Sequence, residues 1–126
     1  MEILKISSSK NSPSVLIDMA DDIVLKIKGH SIMENSEEFY QEIIEALDKL
    51  LVSEKEIIAT IYFVYLNSAS VKCILSVLNK IKLFNKSKII WMYENDDEDM
   101  KERGKDFEEI IKIPFDFIEQ NYEMGV

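Results

Sequence analysis

Two spacings of apolar side chains alternate along the chain: a two-residue repeat typical of half-buried strands, and a three-to-four-residue repeat typical of amphipathic helices. Met1 to Ile6 reads as a short edge strand, and Ser7 to Ser14 as a polar loop of turn-forming residues. Val15 to Met19 and Ile23 to Lys28, separated by Ala20-Asp21-Asp22, predict a hairpin, with Ile23, Leu25 and Ile27 on one face and Val24, Lys26 and Lys28 on the other. Gly29 to Met33 reads as a connector. Asn35 followed by Glu38 has capping-box spacing. Phe39, Tyr40, Ile43, Ile44, Leu47, Leu50 and Leu51 then share one helical face, which Ser53-Glu54-Lys55 closes.

The stretch from Ile57 to Tyr65 carries no charge and is rich in β-branched and aromatic residues, so it predicts a central strand covered on both faces. It runs into Leu66-Asn67-Ser68-Ala69-Ser70-Val71-Lys72, a strand-to-helix junction. Val71, Ile74, Leu75, Leu78 and Ile81 place a helix from about Ser70 to Phe84, with Ser68 or Ser70 as its N-cap. Asn85-Lys86-Ser87 breaks the pattern before another strand, Lys88 to Tyr93. The acidic run Glu94 to Asp99 leads into a third helix, Met100 to Glu109, expected to fray at Gly104. Ile110 to Phe115 reads as a last edge strand whose pairing Pro114 stops, and Asp116 to Val126 as a terminal turn of helix. Strands alternating with helices imply parallel neighbours joined by right-handed crossovers. The expected fold is therefore a single α/β domain over residues 1–126, a mixed sheet with an N-terminal hairpin and helices packed on it.

Charge narrows the partners. Twenty-four acidic residues against 15 basic ones give a formal charge of −9, which disfavours nucleic acid and anionic membrane surfaces. No apolar run approaches the roughly 18 residues of a membrane span, and the N-terminus lacks the pattern of a secretory signal, so a cytoplasmic protein is expected. Cys73 is the only cysteine and falls among apolar helix positions, as a buried structural thiol would.

Candidate chemistry is sparse. Glycine-rich phosphate loops, paired cysteines and nucleophile-elbow sequences are absent. His30, the only histidine, would have to be brought to Ser68 to build a catalytic triad, so an enzyme is not expected. The run Glu94 to Asp99 supplies carboxylates that a hard cation could use, but without the alternating ligands and glycine of a calcium loop; it reads instead as a solvated helix start, where carboxylates meet the macrodipole. Neither a metal nor a cofactor is expected. Ser68 is open to two readings: a helix cap, or a phosphorylation site. A phosphoryl group there would place nearly two negative charges beside free helix N–H groups.

The junction Asn67-Ser68-Ala69-Ser70 with Lys72, following an apolar strand, resembles the Asn-Thr/Ser-Ser-Ser segment of the SiaC family of bacterial regulatory phosphoproteins. Gly29-His30-Ser31-Ile32-Met33-Glu34-Asn35-Ser36 with Phe39-Tyr40 resembles a second segment of that family, with Met33 where the family usually has Pro. Trp91-Met92-Tyr93-Glu94 with Asp96 to Met100, and Asp106-Phe107-Glu108 through Pro114-Phe115, resemble its aromatic strand with acidic turn and its C-terminal part. The resemblance implies a fold similar to the STAS domains of anti-sigma factor antagonists and a role without catalysis. It implies three partners: a protein kinase that phosphorylates Ser68, with Ser70 as the alternative acceptor; a PP2C-type phosphatase; and a diguanylate cyclase that the unmodified form activates, linking the switch to cyclic di-GMP and biofilm formation. Leu66, Asn67, Ser68, Ala69, Ser70 and Lys72 would form part of the docking surface. The alternatives are a STAS-like adaptor for an anti-sigma factor or a small molecule, and a small metal-binding protein using residues 94–99.

Overall fold

A computed structural model describes residues 1–122. Six strands form one sheet in sequence order: β1 (Glu2–Ile6), β2 (Ser14–Met19), β3 (Ile23–Ser31), β4 (Ile57–Leu66), β5 (Ser87–Tyr93) and β6 (Phe115–Glu119). The first three are antiparallel neighbours and the last four are parallel. The expected mixed sheet with an N-terminal hairpin is therefore present. Three helices make the crossovers: α1 (Ser36–Leu50, extended by a 3-10 turn), α2 (Ser68–Lys82) and α3 (Glu98–Ile111). Successive crossovers of one hand that step in one direction across the sheet leave all three helices on the same side.

That arrangement corrects the expectation for β4, which lies between parallel neighbours but has helices on one face only, although Tyr62 on the other face is also buried. Ile57, Ala59, Ile61 and Phe63 are buried under the helices, whereas Ile58, Thr60 and Val64 on the opposite face are partly exposed. Alternation along β3 follows the same division, with Ile23, Leu25 and Ile27 inside and Lys26 in solvent. Gly29 to Ser31, expected as a connector, continue β3 to Ser31. Gly29 has φ +135° at a register shift against β4, and a side chain there would also crowd the Pro13 backbone.

Three further expectations are corrected. Ile110 and Ile111 belong to α3, not to a strand, because Met100, Gly104, Phe107 and Ile111 share its buried face; β6 starts only at Phe115, beyond Pro114. Residues 116–119 are strand rather than helix, and residues 123–126 of the expected terminal turn lie outside the described residues. The helix α3 runs unbroken through Gly104, whose missing side chain lets the backbone lie on Trp91: a Cβ there would sit 2.4 Å from the indole Cδ1. Trp91 is itself fully buried, edge-on to Phe107 at 5.5 Å, and its Nε1 donates to the Met100 carbonyl at 3.0 Å.

Candidate functional site

The apolar strand β4 delivers the chain to the carboxyl edge of the parallel strands, where α2 begins at once. Asn67 is the N-cap, in extended conformation, and its Oδ1 accepts the Ser70 N–H at 2.9 Å. Neither Ser68 nor Ser70, the two residues expected to cap, does so. The Asn67 amide stands one residue ahead of the first helical position, from which its carbonyl reaches the third N–H of the helix. Asn67 also holds the neighbouring loop: its Nδ2 donates to the Met33 carbonyl at 3.1 Å, and its backbone N–H to the Ser31 carbonyl at 2.9 Å.

Ser68 is thus the first residue of α2, with no capping duty, and is exposed together with Ala69 and Lys72. Intrahelical bonding leaves the first N–H groups of a helix without partners, and the Asn67 side chain takes that of Ser70. Ser68, Ala69 and Lys72 share a hollow of about 570 Å³ with Glu34, Asn35, Ser36 and Glu37 from the start of α1. Two helix N-termini, one lysine and two glutamates therefore meet at one place. Tyr65, 56 % exposed, lines a separate hollow with Asp97, Asp99 and Arg103 of the α3 side.

Ser70, two residues on, is in a different environment. It is 0 % exposed, as are Ser31 and Tyr40. The Ser31 hydroxyl donates to Ser70 Oγ at 2.7 Å, and Ser70 Oγ donates back to the Ser31 carbonyl at 3.2 Å. A serine hydroxyl has one proton to give, so the 2.6 Å contact between Ser31 and Tyr40 is a bond donated by the phenol. Burial pushes the Tyr40 phenol well above its ordinary pKa, and it remains protonated to serve as that donor. Every hydroxyl in the chain Tyr40, Ser31, Ser70 is committed. Beside it, the buried Cys73 thiol faces Ser36 Oγ at 3.7 Å.

The other candidates lie apart. Leu66 is buried and, like Ser70, supports the junction from beneath. His30 is exposed on β3, and no hydrogen bond among the described residues joins it to Ser68. In the acidic run, Asp97 caps α3 through its Oδ1, which accepts the Met100 N–H at 3.0 Å. No group of three His, Cys, Asp or Glu side chains among the described residues is gathered to hold a metal. Asn35 occupies the cap position of α1 but makes no capping bond; its Nδ2 donates to Glu38 Oε2 at 2.6 Å instead, so the expected capping box is a side-chain pair. Sequence reasoning missed Asn67 as cap and the contribution of Glu34 and Glu37. The cap was discoverable, since asparagine just before a helix outranks a serine inside it; the meeting of α1 with α2 had no local signal.

The family model of SiaC family regulatory phosphoproteins matches residues 6–120. The chain belongs to the SiaC family. Comparison with curated proteins finds no match. Among solved structures, the SiaC-family chain is similar to apo-SiaC from Pseudomonas aeruginosa, with a TM-score of 0.79 and 20 % identity over 94 % of this chain and 98 % of that one. It is also similar to a chain in the crystal structure of the diguanylate cyclase SiaD in complex with its activator SiaC from the same organism (TM-score 0.78, 23 % identity, 94 % and 98 % covered). A further structure of SiaC of Pseudomonas aeruginosa gives a TM-score of 0.76 at 21 % identity, covering 94 % and 96 %. The six-stranded mixed sheet with three helices is thus the SiaC fold, in agreement with the sequence resemblance. None of the described helices is long and apolar enough to cross a membrane.

Proposed function

We propose that this SiaC-family chain is the switched component of a partner-switching module in the cytoplasm. A protein kinase transfers the γ-phosphoryl group of ATP to Ser68 Oγ, releasing ADP and a proton. A PP2C-type phosphatase hydrolyses the ester and returns the hydroxyl with inorganic phosphate. Only the unmodified form binds its effector, a diguanylate cyclase, which it activates. The chain itself performs no catalysis.

One observation carries the choice of residue: Ser68 is exposed and released from capping by Asn67, while Ser70 is fully buried with its hydroxyl committed at both ends. Phosphate on Ser70 would be a dianion in a dry site without a cation, whereas on Ser68 it stays in water beside helix N–H groups and Lys72, one turn on. The complex of SiaC with the cyclase SiaD supports the class of effector.

The electrostatic consequence is local. With Glu34, Glu37 and Lys72, the hollow holds one net negative charge, and a phosphoryl group of about −1.5 to −2 takes it to nearly three. Apolar or acidic groups of an effector seated over the junction would be expelled. Incubation with the cognate kinase and ATP, followed by peptide mass spectrometry, tests the assignment. Phosphate on Ser68 alone is expected; phosphate on neither Ser68 nor Ser70 would remove the switch.

A further inference from the structure

The sheet face that no helix covers differs from the rest of the molecule. Across β1 to β4, and reaching Met92 of β5, it forms a trough of about 700 Å³ whose lining combines Leu16, Tyr62 and Met92 with Lys5, Lys26 and Lys28. Register places the side chains: Lys5 is opposite Leu16, Leu16 opposite Lys26, and Lys26 opposite Thr60, so two lysines flank one leucine across three strands. Lys5 and Lys26 are exposed, and neither is in an ion pair among the described residues. Among the described residues, the only carboxylate lining the trough is that of Glu2. A positive patch of this kind stands out on a chain whose formal charge is −9.

We propose that this face is a second docking surface, and that its occupant is an acidic amphipathic helix of a partner protein. A helix with its packed side chains is about 10 Å wide, the span of two to three strands. Its apolar stripe would lie on Leu16, and its carboxylates would reach Lys5 and Lys26 on the two flanking strands. A bilayer fits less well. An anionic membrane is flat and meets the net charge of the whole molecule, whereas a narrow peptide meets only what lies within a Debye length of about 8 Å. Ser68 sits on the helical layer, so occupancy of the trough is independent of the proposed switch.

The test is fluorescence anisotropy with a labelled helical peptide carrying leucine on one face and glutamate on the other. Saturable, salt-sensitive binding is expected, about tenfold weaker for a Lys5→Glu, Lys26→Glu double variant with an unchanged circular dichroism spectrum. Binding by Ser68→Asp should equal that of the parent. Absence of saturable binding, or equal affinity of the double variant, would overturn the proposal. So would loss of binding in Ser68→Asp, which would place the peptide at the junction, or co-sedimentation with phosphatidylglycerol vesicles by a chain that ignores the peptide.

Discussion

Ser70 Oγ lies 2.7 Å from Ser31 Oγ, in a site where both residues are 0 % exposed. The bond joins the first turn of α2 to the end of β3, and through Tyr40 to α1, directly beneath the exposed Ser68. A surface hydroxyl and a buried one thus stand two residues apart in chemically opposite surroundings.

Replacing Ser70 by Ala strands the Ser31 donor in a buried site. A loss of roughly 1 to 3 kcal/mol is expected, read as a lower midpoint of urea unfolding with unchanged slope. The variant should still accept phosphate on Ser68. Loss of phosphorylation in a folded Ser70→Ala protein would assign the acceptor to Ser70 instead.

Asn67→Ala removes the cap of α2 and the bond to the Met33 carbonyl together. The cap alone is typically worth about 1 kcal/mol, within a range of roughly 0.5 to 2. Amide hydrogen exchange should rise first in the opening turn of α2 and in the loop around Met33. Exchange confined to α2 would show that the loop does not depend on Asn67.

Gly104→Ala sets two effects against each other. Helix propensity favours alanine by about 1 kcal/mol, but the new Cβ would meet the rigid, buried Trp91 ring at 2.4 Å. Overpacking of a well-filled core costs about 1 to 3 kcal/mol, so net destabilisation is expected. Thermal unfolding measures it, and a shift of the tryptophan emission should accompany it. A more stable variant would contradict the close packing of α3 on β5.

Alkaline pH should weaken the fold. Burial, with the Glu94 carboxylate as the next cause, pushes Tyr62 up to about 12, and burial raises Tyr40 further still. Tyr62 also donates to the Gln120 carbonyl. Folded phenols then hold protons that an unfolded chain releases near pH 10. Their contribution to stability is complete below about pH 10 and falls as pH rises through 12. Tyrosinate absorbance should show the Tyr40 and Tyr62 phenols ionising at higher pH in the folded chain than in the unfolded one, while unfolding midpoints decline as pH rises above about 10. Midpoints that rise between pH 10 and 12 would contradict the assigned burial.

How much of this was legible in the sequence follows from which forces are local. The strand β4 and the helix after it were readable because an uncharged β-branched run and a helical repeat meet at Asn67. The final third was misread at Ile110-Ile111, where two β-branched residues suggest a strand while the spacing from Met100 and Phe107 continues a helix. At Gly104, intrinsic propensity predicted fraying, but the contact with Trp91 decided the outcome. The resemblance pointed to Ser68, with Ser70 as the alternative. What separates the two environments is burial by β3 and α1, elements thirty or more residues away, which no local pattern encodes.

The central claim is that the charge state of Ser68 decides whether the effector is engaged. The most direct measurement is cyclic di-GMP production by the cognate cyclase, compared between the unmodified chain and the chain stoichiometrically phosphorylated on Ser68. The unmodified chain should raise production and the phosphorylated chain should leave it at the level of the cyclase alone. Equal stimulation by both forms would contradict the account.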